Sequence, residues 1–266
     1  GMTVASLIGL WVYDELSHDK NFTNYHRIAR VMQNQVFDGQ VQTWFSQAMQ
    51  LGPELRNTYG NNFEQVIIGT FAGDHKLTFE EKSVTKSGCF MEPGITEMLT
   101  LKMLRGTRSG LTDQNSILLS QSTANSIFGD KDPMDKMIKV NNKLDVKVTG
   151  VYEDLPDNSS FSNLNIILPW ELIVTSEGLG NRTGWGNSWF QCFVQITEHA
   201  DMESVSANIK NAKMEKVMME DNEAKFKPEL FLHPMSQWRV RSDFKNGVSV
   251  GGGIRYVWML GMIGIF

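Results

Sequence analysis

Cysteine is scarce in this chain: Cys89 and Cys192 are the only two in 266 residues, and they stand far apart. A four-cysteine zinc site within the chain is thereby excluded. The pair is left either as one disulfide in an oxidising compartment or as two buried thiols. A basic surplus is missing too. Lys and Arg number 25 against 30 Asp and Glu, a net charge of -5, so no concentrated basic face is available for phosphates and no nucleic-acid partner is expected. Arg239, Arg241 and Lys245 make only a small cluster. No G-x-S-x-G, H-E-x-x-H or G-x-x-x-x-G-K-S/T occurs, so the chain binds no nucleotide through a P-loop. His18, His26, His75, His199 and His233 are scattered. The best metal-like spacing is Asp14/His18 with Glu15/Asp19, each i, i+4 on one helix face, but no third nearby ligand completes it. No catalytic residue, no metal site and no cofactor is therefore expected. Asn21-Phe22-Thr23 and Asn158-Ser159-Ser160 match glycosylation sequons, which are short enough to recur by chance.

Charge is also absent from both ends. Met2 through Tyr13 carries none, with Val4, Leu7, Ile8, Leu10, Trp11 and Val12 ahead of Asp14; after Arg255, Tyr256 to Phe266 is uncharged and nearly all apolar. A membrane-spanning helix takes about 20 such residues, and each end supplies part of one. The expectation is a soluble region between two truncated transmembrane helices, rather than two ordinary core helices. Trp11 and Tyr13, like Tyr256 and Trp258, stand at the edges facing the polar region, where aromatic belts sit. Arg239, Arg241 and Lys245 then lie just ahead of the second membrane segment, where attraction to lipid headgroups is the simple reading. The acidic exit Asp14, Glu15, Asp19 is compatible with an outside location. Gly1 before Met2 reads as a tag-cleavage scar.

What lies between the ends is ordinary for a folded protein, 41% hydrophobic and 21% charged. The first helix is expected to continue through Asp19. A strand entered at Tyr25 ends near Phe37, and Asp38-Gly39 turns it back along Val41 to Phe45. Ser46 to Thr58 has helical spacing, Val66 to Phe71 reads as a strand, and Lys76–Phe79 with Ser83–Thr85 as a hairpin. Ile95 to Leu101 is a short helix or loop. Ile117–Ser120 reads as a strand, with Ser120 or Ser122 capping a helix to Phe128-Gly129. Ile138–Val140 and Val146–Tyr152 alternate around Asn141-Asn142-Lys143. Phe161 to Leu168 is extended, and Glu177 to Gly186 is a Gly- and Asn-rich loop. Phe190 to Ile196 alternates with Phe190, Cys192, Val194 and Ile196 inward. Met202 to Met219 is helical, its methionines assigned to the core, and Pro228 to Met235 is the last strand. Trp185 and Trp189 are expected to cover the edge of a core. Strands and helices intermix without regular alternation, which favours the α+β class.

Three segments, in this order between the two apolar ends, carry a resemblance. The first is Leu10-Trp11-Val12-Tyr13-Asp14-Glu15-Leu16-Ser17-His18-Asp19 with Tyr25-His26-Arg27-Ile28-Ala29-Arg30-Val31. The second is Ile117-Leu118-Leu119-Ser120-Gln121-Ser122-Thr123-Ala124, Phe128-Gly129, Asp132-Pro133-Met134 and Val148 through Phe161. The third is Leu232-His233-Pro234-Met235 followed by Gly251-Gly252-Gly253-Ile254-Arg255-Tyr256. Together they resemble the extracytoplasmic (periplasmic) core domain of MacB-like, FtsX-like ABC transporter permeases, in the style found in Bacteroidetes. One departure is local: Met134 is followed by Asp135, where the family usually has Gly.

The resemblance implies a porter-like βαβ subdomain, residues 21–110 and 188–247, with a second α+β subdomain, 111–187, inserted into it. Residues 1–20 would be the truncated first transmembrane helix and its extension, and 248–266 a joint and the truncated second helix. It implies a bacterial inner-membrane protein with this domain in the periplasm, and no catalysis of its own. A cytoplasmic ATP-binding subunit on another chain would drive it. Further implied partners are a second permease copy or homologue and a periplasmic adaptor or substrate protein. ATP-driven movement would reach the domain through the first helix's continuation to Asp19 and through Pro234 to Arg255, with Gly251-Gly252-Gly253 as a joint or a simple loop. The rival readings are a ligand-binding sensor domain of a two-span receptor such as a histidine kinase, and a membrane-anchored enzyme.

Overall fold

The computed structural model describes residues 2–181, 184–218, 223–254, 257 and 259. Gly1, Met219, Arg255 and the second apolar run from Tyr256 to Phe266, apart from Val257 and Met259, lie outside the described residues. Helix α1 spans Met2–Ser17. A 3-10 turn, Tyr25–Arg27, leads into strand β1, Ile28–Phe37. Asp38 and Gly39 both take left-handed φ, 49° and 76°, which is the geometry of a two-residue hairpin turn. Strand β2, Gln40–Trp44, therefore folds back with Val41 opposite Val36. Strand β3 (Gln47–Ala48), helix α2 (Leu51–Tyr59) and strand β4 (Phe63–Gly69) follow. Then come the hairpin of β5 (Gly73–Phe79) and β6 (Lys82–Met91), helix α3 (Ile95–Met98) and strand β7 (Met103–Gly106). Strand β8 (Ser116–Ser120) ends on the Ser120 side chain, which accepts the Thr123 N–H and so caps α4 (Gln121–Phe128). Strands β9 (Met137–Val140) and β10 (Leu144–Tyr152) turn about Asn141 and Asn142, both left-handed. Strand β11 (Ile166–Pro169), α5 (Trp170–Ser176) and β12 (Ser188–Ile196) come next. Helices α6 (Met202–Ile209) and α7 (Ala212–Val217), strand β13 (Glu229–Pro234), α8 (Met235–Trp238) and the small hairpin β14 (Asp243–Lys245) and β15 (Val248–Gly251) complete the order.

Among the described residues, thirteen strands share one sheet with two regimes. One part is open, in the order β6-β4-β12-β1-β13. The other is closed: β6 pairs β5, then β9, β10, β8 and β11 follow, and β11 returns to β6 in a parallel pairing of Ile166 with Gly88. A six-stranded barrel results, and closure removes its edges. Strand β6 belongs to both parts. At the open end, β13 is capped rather than bare. The Leu230 N–H donates to the Lys210 carbonyl and the Leu232 N–H to Ser206 Oγ, both at 2.9 Å, while Pro234 has none to offer.

The strand period of two sorts side chains into three cores. Leu77, Phe90, Ile117, Leu119, Ile138, Val140, Val146, Val148 and Ile166 fill the barrel, joined by Ile127 and Phe128 of α4. On one face of the open part, Ala29, Val31, Val66, Ile68, Cys192 and Val194 pack under α2, α6 and α7. On the other, Ile28, Ile67, Phe193, Trp238, Phe161 and Met98 pack together. The class is α+β, as the sequence pattern indicated.

Several boundaries differ from the sequence expectation. Helix α1 stops at Ser17 instead of running to Asp19, because Asp19 adopts a left-handed φ of 63°. The expected helix from Ser46 begins only at Leu51, since Gln47 and Ala48 are taken by pairing with β12. The long helix from Met202 is broken after Ile209 into α6 and α7. Met214 is half-buried against the core and Met218 is 66% exposed, so only part of that methionine set packs inward. Trp185 is buried, but Trp189 is 69% exposed and covers no core. The strands β14 and β15 had no counterpart in the sequence pattern, being only three and four residues long.

Candidate coupling site

The foot of α1 is where separate parts of the chain converge. Ser17 Oγ donates to the Asp14 carbonyl at 3.1 Å, and the Lys20 N–H reaches back to the Ser17 carbonyl, which ends the helix. Asp19, 1% exposed, then presents its carboxylate to the loop after β10. It accepts the Ser160 N–H and the Ser160 hydroxyl, each at 2.6 Å. Its own N–H donates to the Asn158 carbonyl at 3.0 Å, and Asn158 Nδ2 donates to Ser17 Oγ at 3.3 Å. Such charge-assisted bonds to a buried carboxylate are the strong kind. Directly after Ser160, the Phe161 ring sits among Phe22, Phe193 and Trp238, with centroids 5.6 to 6.1 Å away. The latch is thus continuous with a core.

One turn earlier on α1, Glu15 meets Arg239, which follows α8. Arg239 Nε donates to Oε2 at 2.8 Å and an Nη to Oε1 at 2.7 Å, a two-point fork. The Arg239 hydrogen bonds hold the Glu15 carboxyl below its ordinary value, with burial opposing them. This contribution is complete above the ordinary carboxylate pKa and is lost as pH falls through the lowered one. Arg239 is half exposed, so the pair adds only about 0–1 kcal/mol to stability. Its interest is geometric. The Ile254 N–H donates to the carbonyl of Val240, the neighbour of Arg239. The incoming helix and the outgoing segment are therefore tied to adjacent residues.

The sequence placed Asp14, Glu15, His18 and Asp19 on one helix face as a metal-like spacing. The structure sends Glu15 to Arg239 and Asp19 to Ser160, and among the described residues no group of three His, Cys, Asp or Glu stands ready for a metal. Arg239, read from sequence as a headgroup-attracted cation, is the partner of Glu15. Asn158 and Ser160 gave no functional signal beyond a chance sequon. Cys89 and Cys192 are separate buried thiols in different cores, and burial pushes the Cys89 thiol up to about 12.

One further buried ion lies away from this junction. Lys213, 1% exposed, donates to Gln33 Oε1 at 2.8 Å and Ser188 Oγ at 3.2 Å. Burial pushes its ammonium down to about 8. Between about pH 8 and the ordinary lysine value the unfolded chain binds more protons, so stability rises with pH through that window. Lys213→Met is expected to abolish this rise, which amounts to at most about 3 kcal/mol. Denaturant unfolding of both proteins at pH 7 and pH 10 reads it, and parallel pH profiles would refute the assignment.

Among the described residues no helix is long and apolar enough to cross a membrane. Helix α1 has 16 residues, about 24 Å, against a hydrocarbon core of about 30 Å. Residues 1–212 match the family described as MacB-like periplasmic core domain. Three solved structures share the fold. A domain of a protein described as a permease, from Porphyromonas gingivalis, aligns at TM-score 0.68 and 21% identity, covering 80% of this chain and 91% of that one. The extracellular domain of the ABC-type transporter YknZ, from Gram-positive bacteria, gives 0.54 at 14% identity, covering 77% and 99%. The periplasmic region of MacB from Actinobacillus actinomycetemcomitans gives 0.54 at 18% identity, covering 83% and 94%. No curated protein matches the sequence.

Proposed function

Because this chain belongs to the family of MacB-like periplasmic core domains, we propose that it transmits ATP-driven movement of an ABC permease's membrane helices to a substrate or partner outside the membrane. It does so without catalysis of its own. In this reading residues 21–110 and 188–247 form the porter-like part and 111–187 the inserted part, to which the β5–β6 hairpin contributes two barrel strands. Residues 1–20 and 248–266 are the membrane-side segments. The partners are a cytoplasmic ATP-binding subunit, a second permease in the bacterial inner membrane, and a periplasmic adaptor or substrate protein.

The observation that carries the reading is the double tie at the foot of α1. A lever transmits displacement only if it is stiffly joined to what it moves. Asp19 joins α1 to the loop after β10, and Glu15 joins it to the residue after α8. Movement of the helix is then delivered to two places at once, near the point where the outgoing segment is also tied.

The test uses the complete permease with its ATP-binding subunit. Met137, half exposed on β9, is replaced by a spin-labelled cysteine; Cys89 and Cys192 are buried and leave that label alone. Distances between the two copies are expected to change on nucleotide binding. Glu15→Arg should suppress the change, and pairing it with Arg239→Glu should restore it. Identical distance distributions with and without nucleotide would remove the proposal.

A further inference from the structure

A pocket of about 420 Å³ opens beside the coupling site, lined by His18, Arg30, Asp157, Ser159, Ser162 and Trp238 among others. Arg30 is its unusual member. It lies on β1 with its guanidinium carbon 4.8 Å from the Trp238 ring centroid, 5.4 Å from that of Phe193 and 5.5 Å from that of Phe45. Its Nε is buried, with no hydrogen-bond partner among the described residues. Burial lowers the guanidinium to about 10, opposed by Asp19, a carboxylate already holding Ser160. Cation–π contact offsets part of that desolvation but supplies no acceptor. Across the sheet register, His233 is held down to about 4, first by burial and then by Arg30, so it is neutral and adds no charge.

The other ionisable side chains of the pocket have partners. Arg239 is spent on Glu15, and His18 Nε2 lies 3.8 Å from the Asp19 carboxylate that holds Ser160. What remains is the Arg30 cation inside and the exposed carboxylate of Asp157 on the rim. The Ser159 oxygen accepts the Phe161 N–H, which leaves its hydroxyl proton to donate. A purely anionic ligand would be repelled by Asp157. A ligand carrying both a phosphate and an ammonium matches the two charges.

We propose that this pocket binds a phosphoethanolamine-type group, with its phosphate on Arg30 and the serine hydroxyls and its ammonium on Asp157. The source can be a lipid headgroup or a soluble phosphoamine. The lipid source rests on the reading that α1 leads from the membrane; the pocket chemistry does not.

Glycerophosphoethanolamine, inorganic phosphate and ethanolamine are titrated separately into the chain, followed by thermal shift and calorimetry. Glycerophosphoethanolamine is expected to stabilise the protein and ethanolamine alone to do little. Arg30→Met should weaken glycerophosphoethanolamine and phosphate at least tenfold. Asp157→Asn changes an exposed residue, and should weaken glycerophosphoethanolamine severalfold while leaving phosphate equal or tighter. A merely structural Arg30 or Asp157 would not split the two ligands in this way. No stabilisation by glycerophosphoethanolamine, or equal affinity in both variants, overturns the proposal. Nanodiscs of phosphatidylethanolamine with phosphatidylcholine are compared with phosphatidylcholine alone. Preference for the former, lost in Asp157→Asn, identifies the lipid. Soluble-ligand binding without that preference keeps the pocket and counts against the membrane placement of α1.

Discussion

Gly88→Ala is expected to destabilise the chain by about 3 kcal/mol or more, combining overpacking with lost strand pairing. A methyl group at Gly88 would run into Cγ1 and the backbone carbonyl of Ile166. Those two residues face each other in the parallel pairing that closes the barrel. A flexible side chain could swing away, but a carbonyl oxygen can retreat only if β11 leaves β6. Ile166 is fully buried in the barrel core, so that retreat would also open the core. Denaturant unfolding measures the loss. Gly60→Ala is the control, because nothing lies within 4 Å of its added carbon and its φ is -54°. It should be neutral or gain up to about 1 kcal/mol. A Gly88→Ala protein within 1 kcal/mol of the parent, on the same scale, would mean the closing pair does not hold the barrel.

Asp19→Ala is the second large effect, expected at about 2–4 kcal/mol. Two contributions add. The Ser160 N–H and hydroxyl lose their carboxylate acceptor at 2.6 Å, and alanine must adopt the left-handed φ of 63° that aspartate tolerates better. Asp19→Asn keeps the tolerance and one acceptor oxygen, so it should fall between the two. Hydrogen exchange at the Ser160 amide separates this account from general loosening. Faster exchange there, ahead of the barrel amides, is the expected signature. Uniform acceleration through the whole chain would make Asp19 an ordinary core residue and remove it from the proposed coupling site.

Much of the local architecture was legible in the sequence. Asp38-Gly39 and Asn141-Asn142 are residues that accept positive φ, and both mark hairpin turns. Ser120 or Ser122 reads as a helix cap, and Ser120 is the one. The alternation of Phe190, Cys192, Val194 and Ile196 correctly puts those four in one core. It says nothing of Phe193, which fills the core on the other face because β12 is covered on both sides. The end of α1 was misplaced because the stopping signal is a tertiary one. Nothing within Leu16 to Lys20 announces that Asp19 will be captured by Ser160.

By itself, the sequence determined the turns, the caps, the strand period and the apolar ends, since each follows from the conformational preference of neighbouring residues. It also carried the family resemblance, in the order of three short segments. Tertiary structure alone decided which partners met. Asp19 reaches Ser160 across 141 positions and Glu15 reaches Arg239 across 224. The barrel closes through Gly88 and Ile166, a glycine whose missing side chain matters only once another strand's backbone has arrived. Arg30 looks in sequence like any strand cation, and folding is what surrounds it with three aromatic rings. The reason is physical: local preferences act over a few bonds, whereas the candidate site is made of through-space contacts that exist only after the sheet has assembled.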